Sequence, residues 1–101
     1  MSEIVAPAKP KTTPKTERPP LWKVILLNDD FTPREFVIKV LMRVFHMGES
    51  EAEAIMITAH QKGSCVVAVF TFEIAEMRAQ VATEAGARAG YPLTFTTEKE
   101  T

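Results

Sequence analysis

The stretch VILLNDDFTPREF, residues 24–36, passes from an apolar run through two adjacent carboxylates into the chemistry of a helix start. Val24, Ile25, Leu26 and Leu27, with Trp22 just before them and only Lys23 interrupting, have the β-branched and large apolar side chains of a short strand. The pattern predicts a strand over residues 22–27, buried on much of both faces. Thr32-Pro33-Arg34-Glu35 then supplies a threonine N-cap, a proline at the first helical position and a glutamate three residues after the cap. That capping-box order satisfies N–H groups that have no partner inside the helix, so a helix is expected to begin there.

The helix can be followed downstream by its apolar stripe, Phe36, Val37, Val40, Leu41, Val44 and Phe45, which places one face inward, and Gly48 is expected to end it. Ser50-Glu51-Ala52-Glu53 repeats the capping-box pattern. Beyond it Ala52, Ile55, Met56 and Ala59 fall on one helical face, with His60 four residues past Met56 on the same side, and Gly63 suits the position just past the helix end. Residues 65–70 form a second apolar strand. Thr71 can cap a third helix whose expected inward face is Ile74, Met77, Val81 and Ala85, with Gly86 and Gly90 bracketing its end. After Pro92, the alternation of Leu93, Phe95 and Thr97 with Thr94 and Thr96 predicts a half-exposed final strand. The element order β-α-α-β-α-β predicts a compact single α+β domain with a small three-stranded sheet, antiparallel or mixed, packed on helices.

Upstream the composition changes. Five of the seven prolines lie at positions 7, 10, 14, 19 and 20, among lysines and threonines with few large apolar side chains. Such a segment cannot offset the entropy of ordering itself, so residues 1–20 are expected to be a disordered tail and residues 21–101 the folded domain. The tail carries Lys9, Lys11, Lys15 and Arg18 against Glu3 and Glu17, a charge of +2, which leaves −3 on the rest of a chain whose net charge is −1. A mildly acidic domain argues against nucleic acid as partner. No apolar run approaches the ~20 residues of a membrane span, and the first residues lack the apolar middle of a secretory signal. The single cysteine, Cys65, excludes an internal disulfide and fits a reducing compartment, so the expected location is the cytoplasm.

On pattern alone the residues do not specify a chemistry. Asn28-Asp29-Asp30 reads first as a strand-to-helix turn, because Asx side chains bond nearby backbone N–H groups and negative charge favours a helix N-terminus. The loop lacks the glycine and trailing glutamate of a calcium site. His46 and His60, fourteen residues apart, make no familiar zinc spacing with Cys65, and no metal or other cofactor is expected. His46 reads as a surface side chain, and His60, at the edge of an apolar face, as a histidine held by a backbone carbonyl. Cys65, in the run CVVAVF, reads as a small core side chain rather than a nucleophile, and Met56 and Met77 as core filler. Glu49, Glu51 and Glu53 suit a helix start and a solvated face.

Residues 21–100 nevertheless resemble the ClpS family of N-degron adaptors, through WKVILLNDDFTPREFV, IMITAH, AVFTFEIAE and the closing YPLTFTTEKE. Members of that family bind the large apolar first residue of a substrate and deliver the substrate to a ClpA-type AAA+ unfoldase coupled to a protease. The resemblance implies a non-enzymatic adaptor in which Asn28, Asp30 and His60 gather around the substrate α-amino group, with Asp29 and Thr32 holding its first peptide units. A free α-amine is a compact cation, and the oxygens of asparagine and aspartate are the acceptors it needs. Leu27, Arg34, Val37, Met56, Ala59 and Leu93 would surround the side-chain pocket, and Glu73, Glu76 and Arg78 of the third helix would face the unfoldase's N-terminal domain. The tail would take part in delivery. The sequence departs from the family at two places: Arg34 replaces a methionine common after the TP pair, and Ala59 a valine common before the histidine. Both imply an altered preference among Phe, Leu, Tyr and Trp. Two other readings are a docking domain resembling that of a ribosomal stalk protein, with the Asn-Asp-Asp turn dispensable, and a small hydrolase using Asp29 or Asp30 with His60.

Overall fold

The computed structural model describes residues 18–101; the expected tail, but for residues 18–20, lies outside the described residues. The elements run β1 (Leu21–Leu27), α1 (Arg34–Phe45), α2 (Glu49–Lys62), β2 (Ser64–Thr71), α3 (Phe72–Arg88) and β3 (Phe95–Lys99). This is the β-α-α-β-α-β order expected from the sequence, in an α+β architecture. The three strands pair antiparallel in the order β2-β1-β3, so the first strand is the centre of the sheet.

β1 alternates rather than being buried on both faces. Val24 and Leu26 are buried under the helices, whereas Lys23 and Ile25 on the opposite face are only half-buried, because helices cover one side of the sheet alone. Between Val24 and Ile25 the register with β2 slips by one residue, and Val67 is the extra residue in the opposing strand. The core joins Val24 and Leu26 to Val37, Val40 and Leu41 of α1, to Ala52, Ile55, Met56 and Ala59 of α2, and to Leu93 and Phe95 beside and within β3. The inward faces expected of α1 and α2 are thus the observed ones.

The helix starts differ from expectation in chemistry. α1 begins at Arg34, with Pro33 extended before it and no side-chain cap; the Thr32 hydroxyl donates to Asp29 instead. α1 ends at Phe45 rather than at Gly48: His46 takes the left-handed conformation at φ 58°, and Gly48 precedes the start of α2 at Glu49 in extended geometry. Ser50 therefore lies inside α2 and caps nothing. Thr71 does stand at the N-cap of α3, but its side chain makes no capping hydrogen bond.

α3 turns a different face inward. Ala75, Ala79, Ala82 and Gly86 are buried, while Ile74, Met77 and Val81 are 42 %, 49 % and 42 % exposed. Small residues at this spacing let the helix backbone approach the sheet closely, and the larger side chains, one or two positions away, point outward. Arg78 adds a polar tie by donating a hydrogen bond of 2.6 Å to the carbonyl of Val44, near the end of α1. Its guanidinium also lies 5.4 Å from the centroid of the Phe70 ring.

Candidate functional site

Where β1 ends, the chain is held from both sides: the Leu27 N–H donates to the Thr94 carbonyl at 3.1 Å and the Asn28 N–H to the Gly63 carbonyl at 3.0 Å. Gly63 closes α2 with φ +95°, a conformation glycine adopts without strain, so the end of α2 and the start of the acidic loop are joined at one residue. This brings His60, on the last turn of α2, next to Asn28-Asp29-Asp30.

The loop is internally built by Asp29. Its Oδ1 accepts from the N–H groups of Phe31 and Thr32, both at 2.8 Å, and its Oδ2 accepts from the Thr32 hydroxyl at 2.9 Å. The Asx turn read from the sequence therefore exists, and Asp29 is the residue that makes it. Asn28, Asp30 and His60 are exposed, and their side chains make no hydrogen bond among the described residues. His60 is thus not held by a backbone carbonyl. Thr32 uses its proton on Asp29 and keeps oxygen lone pairs free to accept.

Beneath the loop lies a cavity of about 150 Å³. It is lined by Leu26, Leu27, Asn28, Asp29, Asp30, Thr32, Arg34, Val37, Met56, Ala59, His60 and Leu93. The apolar members Leu26, Val37, Met56, Ala59 and Leu93 are buried, and the exposed Asn28, Asp30, Arg34 and His60 form the rim. A volume of about 150 Å³ is enough for a benzene ring. A greasy hollow of ring size under a lip of carboxylate, amide, hydroxyl and imidazole groups can hold a ligand that joins an apolar group to a cationic one. Two carboxylates against the single guanidinium of Arg34 leave the lip negative.

All eleven residues expected at the amine site and the pocket line this one cavity. Leu26 is the lining residue that the sequence reading missed, although the alternation along β1 carries the signal: Leu26 shares the inward side of Val24 and is the last such residue before the loop. Glu73, Glu76 and Arg78 stand away from the cavity on α3. Glu73 is exposed, Glu76 accepts from the Thr97 hydroxyl, and Arg78 is occupied by Val44 and Phe70. Cys65 does not line the cavity; burial pushes its thiol pKa up, against a smaller lowering by Lys62, which reduces its thiolate fraction. Among the described residues no three His, Cys, Asp or Glu side chains are grouped to hold a metal ion, and no helix is long and apolar enough to cross a membrane.

Three comparisons bear on this arrangement. A family model described as "ATP-dependent Clp protease adaptor protein ClpS" matches residues 17–96. The ATP-dependent Clp protease adapter protein ClpS 2 of Mesorhizobium japonicum is 59% identical over 100 residues, covering 99% of each chain. ClpS of Ruegeria pomeroyi is 51% identical over 90 residues, 89% of this chain and 80% of its own. Among solved structures, Agrobacterium tumefaciens ClpS2 bound to L-phenylalaninamide superposes with a TM-score of 0.81 at 57% identity, over 82% of this chain and 100% of that one.

Proposed function

The chain belongs to the ClpS family of ATP-dependent Clp protease adaptors, and from that premise we propose that it captures proteins by a free, bulky apolar first residue and hands them to a ClpA-type AAA+ unfoldase in the cytoplasm. It is a binding module and not an enzyme. The observation that carries this reading is a ring-sized cavity with a buried apolar floor and a rim that holds Asn28, Asp30 and His60, whose side chains have no hydrogen-bond partner among the described residues. L-phenylalaninamide, the ligand of the Agrobacterium relative, joins a free α-amine to a benzyl group and has no terminal carboxylate. It is the smallest form of the same two-part key.

The roles divide according to which groups are already occupied. Asn28, Asp30 and His60, which have no intramolecular side-chain partner among the described residues, receive the ammonium. Asp29 acts one step back by holding the loop, and the Thr32 oxygen, fixed by its bond to Asp29, accepts from a substrate peptide N–H. The buried floor takes the first side chain.

Burying one Phe or Leu side chain contributes roughly 1.5–3 kcal/mol. Two or three hydrogen bonds to a charged amine add about 1.5–3 kcal/mol each, less the cost of ordering the peptide. A net of about 7–8 kcal/mol gives a dissociation constant near the micromolar range, which suits an adaptor that must release its cargo.

Arg34 on the lip and the small Ala59 on the floor stand where methionine and valine are common in the family, and together they alter the preference among Phe, Leu, Tyr and Trp. Delivery uses the exposed side of α3, with Glu73 and Glu76 facing the unfoldase's N-terminal domain; Arg78 serves there mainly to fix the helix. Titration with peptides that differ only in their first residue tests the reading. Binding of Phe-, Leu-, Tyr- and Trp-starting peptides, and none of Ala- or Asp-starting ones, is expected. Indifference to the first residue would overturn the reading, and a ranking identical to that of relatives with methionine and valine at these places would remove the altered preference.

A further inference from the structure

Leu93, 2 % exposed, forms part of the cavity wall, and behind it α3 passes unusually close. A Cβ placed on Gly86 would stand 2.7 Å from the Cβ of Leu93, 3.4 Å from Cδ2 and 3.5 Å from Cγ. Carbon atoms attract best at about 3.5–4.0 Å, so the first of these contacts cannot exist unless something moves. Gly86 lies within α3 without the positive φ that would call for glycine, and glycine in a helix interior is unfavourable. Close approach is the reason for it.

The same residue anchors the turn that carries Leu93. The Gly86 carbonyl accepts from the N–H of Tyr91 at 2.9 Å and of Ala89 at 3.0 Å, and the Tyr91 ring meets Phe36 of α1 edge-on with centroids 5.0 Å apart. The segment before β3 is therefore tied to α3 and α1 at once. Leu93 belongs to the buried core and also lines the cavity, which is the open volume it can move into.

Resting on the reading of this cavity as the first-residue pocket, we propose that Gly86 is a positioning residue that sets the pocket's depth by letting Leu93 sit back against α3. A methyl group at 86 drives Leu93 into the hollow and shortens it. The effect falls on the largest first residues, so Gly86 acts as a specificity determinant without touching substrate.

The test is calorimetric or anisotropy titration of the full chain and of Gly86→Ala with three peptides identical but for Leu, Phe or Trp at the first position, alongside thermal melts. The expected result is a fall of about tenfold in Trp binding relative to Leu binding in the variant, the size of a moderate steric clash. The double variant Gly86→Ala/Leu93→Ala keeps the clashing Cβ but removes the Cγ and Cδ atoms that it would push into the hollow, so it should return the ratio toward that of the natural chain. Equal weakening of all three peptides, or an unchanged ratio, overturns the inference and leaves a purely structural glycine. If Gly86→Ala does not fold, Leu93→Ala alone should shift preference toward Trp, and an unchanged order overturns the proposal. A natural chain that binds none of the three peptides overturns the pocket reading itself, an outcome distinct from an unmoved ratio.

Discussion

Replacing His60 by alanine separates binding from folding at a single side chain. The imidazole is exposed on the last turn of α2, and among the described residues it has no hydrogen-bond partner, so the fold loses no interaction when it goes. Alanine is the better helix former by a margin of at most about 0.7 kcal/mol, and the net change in stability should stay within about 0.5 kcal/mol. For a domain of this size that corresponds to a melting-temperature shift of about 4 °C or less. Binding has more to lose, because a hydrogen bond to a charged group contributes about 1.5–3 kcal/mol. The open rim places His60 in the lower half of that range, so His60→Ala should weaken a Phe-starting peptide by about 10- to 45-fold. Paired measurements decide the matter: a peptide titration and a thermal melt on the same preparation. A variant that binds as tightly as the natural chain, or one whose melting temperature falls in proportion to its affinity, would refute the assignment of His60 to the ammonium site.

Asp29→Ala removes three acceptor contacts that shape the loop, so affinity for the same peptide should fall at least about tenfold while the melting temperature drops by a few degrees; retained affinity would mean that the loop holds its shape without them. Arg78→Ala should cost about 1–2 kcal/mol of stability in denaturant titration, through the lost bond to Val44 and the lost contact with Phe70, and should leave peptide binding unchanged. A variant that unfolds at the natural denaturant midpoint would show that this tie contributes nothing. Because burial raises the Cys65 pKa, the folded protein should hold less thiolate at neutral pH than a free thiol and react more slowly with iodoacetamide, the rate rising with pH through the raised pKa. Equal rates in the folded and denatured protein would contradict the burial effect.

The strand, loop and helix around residues 24–36 were legible because three independent local signals coincide there: β-branched apolar residues, Asx turn formers and a proline-led helix start. The inward face of α2 was legible for a similar reason, since Ala52, Ile55, Met56 and Ala59 follow the i, i+3, i+4, i+7 spacing of one helical face. α3 was misread because it carries two apolar stripes one or two residues apart. Large side chains attracted the reading to Ile74, Met77 and Val81, while the sheet selected the alanine stripe, whose value is close approach rather than area. Thr32 was misread by position: the helix begins at Arg34 with Pro33 as its N-cap, so the threonine stands one residue too early to cap it, and its hydroxyl donates to Asp29. Arg78 gave no sign of its tie to Val44, which depends on a contact 34 residues away. The convergence of Asn28, Asp29, Asp30, Thr32 and His60 on one cavity was legible only through the family resemblance. The Gly63 carbonyl that joins α2 to the loop is a tertiary contact without a local signature.

If the acidic lip recognises a free α-ammonium above the apolar floor, binding must depend on the charge of the first nitrogen. Acetylating the α-amine of a Phe-starting peptide removes that charge and two of its donors while leaving the phenyl ring and every later residue untouched. Titrated against the same protein, the free-amine peptide should bind near the micromolar range and its acetylated twin should show no binding at concentrations about a hundredfold higher. Equal affinity for the two peptides would mean that the lip does not read the α-ammonium.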